Sequence, residues 1–537
     1  MPEPTTGDKV HRSPFSDNDS DTCKLIHNLM EKWHIPGASI AVIDGDDTWA
    51  RGFGFATIDT SPATPSTLFY AASTTKAFTA AALAHLIDLG NLKTRTVPAK
   101  AVAWETPMHD VLLEDFVLMD DWATKHITIE DALCHRTGLP RHDVAEQHRI
   151  VEDNGNSRLA TVKDTTRSLR HLPLSAEPRT KYQYCNVMFA AASHLVETLT
   201  GKWLGDVLKD WIWSPLHMHQ TYFSLDDAEE SSSDLATGYY HDSRTGAYKE
   251  VRHAPLDEVS GAGAVISSVL DYAKWIRCMI DEAKPLSRES HRAIKMPRIF
   301  SGISPGNFDA PKAYALGWEA FVYKGHRVWG HNGGTDSFGA QVLFVPDLRF
   351  GVVVFANTAV TSNVLGDVVS WSLVEDRLGI SQDQRRDWEA RWVEAFDTVA
   401  TRRELALKVL YPSVPDPGLK KSLSLESYVG TYFHPGYKEM KLALADSASR
   451  ERKPRVELVA LRPDAAWPIM CEFEHVSGEY WLVEYNLIHN PVTYLLGGIE
   501  PAQFKLGPNG KVASMGIDWR NVFDDTSEGL IWFNRVD

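Results

Sequence analysis

The chain has 537 residues, a formal net charge of −16 and a pI near 5.7. That acidic balance argues against nucleic acid or an anionic membrane as a partner, because both demand a basic face. The length exceeds one ordinary core, and 43% hydrophobic against 23% charged residues is a globular composition, so two or more folded domains are expected.

Residues 1–20 are polar and read as a disordered tail with no apolar stretch of a secretory signal. No uninterrupted apolar run reaches membrane-spanning length, so the expectation is a soluble, cytoplasmic protein. Leu25, Ile26, Leu29, Met30 and Trp33 recur at helical spacing before Pro36 and Gly37 stop the helix. A hairpin follows, with strands over 38–43 and 48–56 and a turn at Asp44-Gly45-Asp46. The Ala- and Leu-rich run 73–90 predicts a strong helix ending at Gly90.

Helical patterns and loops fill 91–300. Strand character returns over 326–334, 337–346 and 350–358, the last two joined by a turn at Asp347. Short turns make these strands antiparallel. The fold class expected is therefore α+β, with one antiparallel sheet assembled from both ends of the domain, flanked by helices and interrupted by a large helical insertion. A charged helix over about 382–409 leads into YPSVPDPGLKKS, whose prolines and glycine read as a linker. From 424 onward, alternating apolar and polar residues with frequent turn signals predict an all-β barrel or sandwich. The organisation expected is a tail (1–20), a catalytic domain (21–410), a linker (411–423) and a β domain (424–537) with a core of its own.

Several motifs carry no chemistry. Cys23, Cys134, Cys185, Cys278 and Cys471 are scattered with no CxxC pair, so neither a disulfide framework nor a zinc site is indicated. Gly302-Ile-Ser304-Pro-Gly306 fits a nucleophile elbow, but Pro305 lacks the N–H that the oxyanion hole would need. Gly261-Ala-Gly263 begins a dinucleotide fingerprint whose third glycine is Ile266, and His217-Met-His219 has no carboxylate partner nearby.

Ser73-Thr-Thr-Lys76 is different. At i and i+3 the two side chains share one helix face, and a serine at a helix start sits among unpaired N–H groups that favour an oxyanion. Tyr184-Cys185-Asn186 lies where a loop enters an apolar helix and can present a tyrosine to a cleft. Tyrosine is a poor base unless cations stabilise its phenolate, and Lys76 is the candidate cation. His331-Asn332-Gly333 ends a strand just before Gly334, where glycines permit close approach of a substrate backbone.

In this order the SxxK, YxN and HxG motifs resemble the class C β-lactamase-related serine hydrolases, a family that includes penicillin-binding proteins, esterases and acyltransferases. ITIEDALCHRTGLP (127–140), SPLHMHQTYF (214–223), SGAGAVISSVLDYAKWI (260–276) and YALGW (314–318) are similar to further family segments. The resemblance covers about 22–375, and the C-terminal region is similar to a lipocalin-like β domain appended to some members. It implies Ser73 as acylated nucleophile and Lys76 with Tyr184 as its base system. Asn186 would orient substrate and lysine, and the N–H groups of Ser73 and Gly334 would form the oxyanion hole. His331 and Gly333 would face the substrate. No cofactor or metal is implied, and the partner expected is a small-molecule ester, amide or acyl donor. β-Lactamases carry a lysine where this chain has His331. The histidine therefore favours neutral esters or amides over penicillins, with a true β-lactamase or a non-turnover sensor as the alternatives.

Overall fold

The computed structural model describes residues 13–16, 20–90, 100–152, 155–231, 234–302, 306–447, 453–491, 497–520 and 527–537. The hairpin strands Gly37–Asp44 and Asp47–Thr57 lie in a nine-stranded sheet. Its spatial order runs 299–300, 313–314, 319–323, 326–334, 339–345, 350–356, 37–44, 47–57, 61–62, with every pairing antiparallel. Both ends of the catalytic domain thus meet at the pairing of Ile40 with Val354. The strand Gly37–Asp44 is buried throughout. Its alternation sends Ala38, Ile40 and Val42 into one core and Ala41 and Ile43 into the other.

The first core is closed by the helix Asp21–Lys32, which buries Ile26 and Leu29, and by a helix over Thr361–Leu378. The sequence reading missed this second helix. It is rich in valine and serine and buries residues around much of its circumference, so it shows no clean polar stripe. On the other face the helix Val269–Asp281 and the nucleophile helix Thr75–Leu89 pack into the second core. Most of the expected tail lies outside the described residues; within it Phe15 is buried, edge-on to Phe53 at 5.9 Å, and Ser20 caps the first helix by accepting from Cys23 N–H.

The C-terminal region is a closed eight-stranded antiparallel barrel whose strands pair in chain order from Gly430–His434 to Ser527–Arg535, with Tyr432 opposite Arg535 closing it. Side chains including Tyr432, Phe473, Trp481 and Phe504 fill its interior. That interior is continuous with the core of the catalytic domain. Barrel residues such as Tyr437 and Phe533 belong to the same continuous hydrophobic cluster as Leu83 and Leu172. The linker is pinned as well: Tyr411 Oη donates to the carbonyls of Trp481 (2.7 Å) and Ala502 (3.2 Å).

Candidate active site

Ser73 sits in a 3-10 turn, Ala72–Thr74, that feeds directly into the helix Thr75–Leu89. Ala72 holds φ near +48°, a left-handed conformation that costs a non-glycine residue about 1–2 kcal/mol. The surroundings enforce it. Ala71 N–H donates to Val265 O (2.8 Å), Thr74 Oγ1 donates to Ala71 O (2.8 Å), and buried Tyr272 hydrogen-bonds Thr74 Oγ1 (2.7 Å).

Lys76 lies one turn along the helix and is wholly buried. Its Nζ is 3.0 Å from Ser73 Oγ and 2.9 Å from the carbonyl of Ala262. Among the described residues no carboxylate forms an ion pair with it. Burial, reinforced by the nearby Arg141 cation, holds its pKa well below the usual lysine range and so favours the uncharged amine with its lone pair. The Gly261–Gly263 stretch earns its small residues here. A Cβ on Gly261 would lie 2.5 Å from Phe189 O, and one on Gly317, in YALGW, 2.7 Å from Lys76 O.

Tyr184 places its ring 4.8 Å from Lys76 Nζ, and its phenol interacts with the Ser73 hydroxyl. Burial drives its pKa above the ordinary tyrosine value, against the opposing pull of Arg141 and Ser73. The sequence reading expected a lysine cation to sustain a phenolate. A guanidinium that the sequence reading did not include also reaches Tyr184, with Arg141 Cζ 4.7 Å from the ring centroid. Arg141 pairs with Asp143 (2.7 Å), and Asp143 accepts from Asn186 Nδ2 (3.0 Å). Asn186 Oδ1 is buried without a hydrogen-bond partner and so has acceptor capacity left. On the other side His135, fully buried, packs its ring at a tilt with its centroid 4.2 Å from that of Tyr184 and accepts from Cys185 N–H at Nδ1. Cys185 itself is buried, its thiol pushed up to about 12 by desolvation and therefore inert.

The strand His326–Gly334 forms the opposite wall. Its pairing with Glu319–Tyr323 stops at Gly330, leaving the edge of 331–334 open on that side. Gly333 runs so close to the nucleophile that a Cβ would lie 2.4 Å from Ala71 O and 3.1 Å from Ser73 N. Asn363, from the helix the sequence reading missed, donates to Gly333 O (2.7 Å) and Ala340 O (3.1 Å) and fixes this edge. His331 lines the cleft, but both its nitrogens are engaged. Nδ1–H donates to Asn332 O (2.5 Å), and Nε2 accepts from Tyr314 Oη (2.8 Å). Burial lowers its pKa to about 4, so it is neutral, and it has no spare donor for a substrate oxygen.

Ser73, Tyr184, His331, Gly333 and Gly334 thus border one cleft of about 750 Å³, with Lys76 and Asn186 behind it. Phe300, Tyr182 and Trp392 supply apolar wall, and Arg179, Lys181, Lys312 and Glu319 lie around it. Of the discarded motifs, His217 and His219 hold their rings 6.0 Å apart, and no metal-binding cluster occurs among the described residues. Residues 303–305 of the elbow-like motif lie outside the described residues. No described helix is long and apolar enough to cross a membrane.

The Beta-lactamase family description matches residues 24–368, and a Domain of unknown function (DUF3471) matches 414–535. Unguisins hydrolase ungD' of Aspergillus campestris is 39% identical over 521 residues, spanning 96% of this chain and 92% of the relative. Unguisins hydrolase ungD of Aspergillus violaceofuscus is 36% identical over 539 residues, spanning 96% and 90%. Among solved structures, the octameric penicillin-binding protein homologue of Pyrococcus abyssi superposes with a TM-score of 0.57 at 19% identity, covering 96% of this chain and all of that one. The chain belongs to the β-lactamase-related family of serine hydrolases.

Proposed function

We propose that this protein hydrolyses an amide bond through an acyl-enzyme on Ser73. The observation that carries the reading is the pairing of Ser73 Oγ with the buried Lys76 amine 3.0 Å away, whose charged form burial disfavours. A neutral amine at that distance is a general base already in reach of the proton it must take. As Ser73 Oγ bonds to the substrate carbonyl carbon, its proton passes to Lys76 Nζ. The oxyanion is received by the N–H groups of Ser73 and Gly334. Tyr184, a neutral phenol between the two groups, gives its proton to the departing amine and is reprotonated from Lys76 as the C–N bond breaks. Water then adds to the acyl carbon and loses its proton to the same pair, which returns it to Ser73 Oγ as the acyl C–O bond breaks and the carboxylic acid leaves. Asn186 Oδ1, short of a partner, would accept from Lys76 or from a substrate N–H. His331 acts by shape, since its hydrogen bonds are spent within the protein.

The names of the Aspergillus relatives supply the reaction class and make unguisins the first substrates to test. Intact-mass detection of a covalent adduct during turnover, together with labelling by a fluorophosphonate, tests the reading. Ser73→Ala should lose both turnover and labelling while remaining folded. Activity that survives in Ser73→Ala would refute it.

A further inference from the structure

The loop over 141–146 alternates its allegiance. Arg141 and Asp143 face the site, one stacked on Tyr184 and the other holding Asn186. The residues between them are held by the barrel. His142, fully buried in a left-handed conformation, accepts at Nδ1 from Tyr437 Oη (2.7 Å) and donates from Nε2 to Pro173 O (2.9 Å). The carbonyl of Val144 accepts from Arg462 Nη1 (2.6 Å), and Arg462 Nη2 returns to the carbonyl of Tyr437 (2.5 Å). The next residues continue the seam: Ala466 N–H donates to Glu146 O (3.0 Å), and His148 N–H donates to Asp464 O (2.8 Å).

Arg462 is only 4% exposed, and among the described residues no carboxylate forms an ion pair with it. Burial depresses even its guanidinium, to about 10. A desolvated cation satisfied by carbonyls alone is an expensive way to fill a domain seam, and an apolar side chain of similar volume would commonly be as stable. What an apolar residue would not provide is a two-point geometric link between Tyr437 and Val144. A second link meets the opposite wall of the cleft, where barrel residue Asn490, buried, donates from Nδ2 to Asp336 O (2.6 Å), two residues beyond Gly334.

We propose that the C-terminal barrel is a working part of the active site: Arg462 and Tyr437 are positioning residues that hold the 141–146 loop, and hence Arg141 and Asp143, against Tyr184 and Asn186. The inference rests on the proposed roles of Ser73, Lys76 and Tyr184. Neither barrel residue contacts the nucleophile. Their effect is transmitted through the placement of Arg141, the cation shared by Lys76 and Tyr184.

The test uses the full chain with Tyr437→Phe, Arg462→Met, Arg462→Lys and, as a control, Lys421→Met, which breaks an ion pair between the linker and barrel residue Glu457 in which the loop takes no part. Three quantities are read: the second-order rate of fluorophosphonate labelling, kcat and KM on an unguisin, and folded fraction by circular dichroism. Tyr437→Phe, which removes one hydroxyl and no volume, should lower labelling and kcat about tenfold with KM within about twofold. Arg462→Met should fall further, Arg462→Lys should recover part of the loss, and Lys421→Met should match the native protein. Folded Tyr437→Phe with native labelling and kcat would overturn the proposal, whatever Arg462→Met does. A Lys421→Met protein as impaired as Tyr437→Phe would overturn it too, by showing a general effect of disturbing the barrel. The underlying reading fails separately, if Ser73→Ala still turns over.

Discussion

Asp336 offers a sharp test of the electrostatics beside the cleft. It is buried two residues past Gly334, and desolvation raises its carboxyl from 3.8 to about 6 in spite of a hydrogen bond from Ser337. The native state therefore keeps a proton that the unfolded chain has already released, so the folded form loses stability as pH climbs from about 4 to 6. A displacement of roughly 2 pKa units corresponds to about 3 kcal/mol once pH is well above both values. Asp336→Asn cannot ionise and should escape that penalty. Relative to the native protein it should gain about 3 kcal/mol near pH 8 but only about 1 kcal/mol near pH 4.5, where the native carboxyl is still protonated and the unfolded one only partly ionised. The main-chain carbonyl that accepts from Asn490 is untouched by the change. Reversible urea unfolding of both proteins at the two pH values measures the difference. An equal effect at both pH values, or a variant less stable near pH 8, would refute the reasoning.

Three further outcomes follow from the site. Arg141→Met removes the cation that helps keep Lys76 deprotonated, so the lysine pKa should rise and the acid limb of the kcat/KM profile should move to higher pH, which a pH–rate series reads directly. Gly333→Ala would place a methyl group 2.4 Å from Ala71 O, against backbone that cannot yield, and should cut kcat/KM by about a hundredfold or more in steady-state assays. Tyr184→Phe keeps the ring between Lys76, Arg141 and His135 but loses the proton-carrying hydroxyl. It should lower kcat by about two to four orders of magnitude with little change in melting temperature, as stopped assays and a thermal melt will show.

The elements that sequence patterns revealed were those whose periodicity survives burial. The hairpin 37–57 alternates around a clear turn, and the helix ending at Leu89 stops at Gly90 with φ near +62°. The helix Thr361–Leu378 was invisible for the opposite reason, because contact around much of its circumference erases the polar stripe, and Asn363 was lost with it. Ser73, Lys76 and Tyr184 stood out through motif and order, and the fold brings them together. Arg141, Asp143 and His135 did not. They lie close to or within a recognised segment, but nothing in local spacing says that a guanidinium will reach Tyr184, some forty residues downstream. His331 lines the cleft, and its hydrogen bond to Tyr314 was not legible in the sequence, because that hydroxyl arrives from a different strand. The contact between barrel and catalytic domain was not legible for a related cause. Prolines in 411–423 report on local backbone freedom and not on what the flanking surfaces touch.

The seam between barrel and catalytic domain also shapes the order of events during synthesis. The face that receives Gly436 and Tyr437, including His142, His171 and Leu172, is complete hundreds of residues before its cover exists. At usual elongation rates the strands from Gly430 to Arg535 follow over something like five to twenty seconds, and closure must wait for the last of them to pair with the first. For that interval the nascent hydrolase domain carries apolar surface and a buried-type histidine open to water. Slowing translation ahead of the barrel, or depleting chaperones that shield such surfaces, should therefore lower the yield of this protein more than that of a hydrolase whose catalytic domain closes on itself.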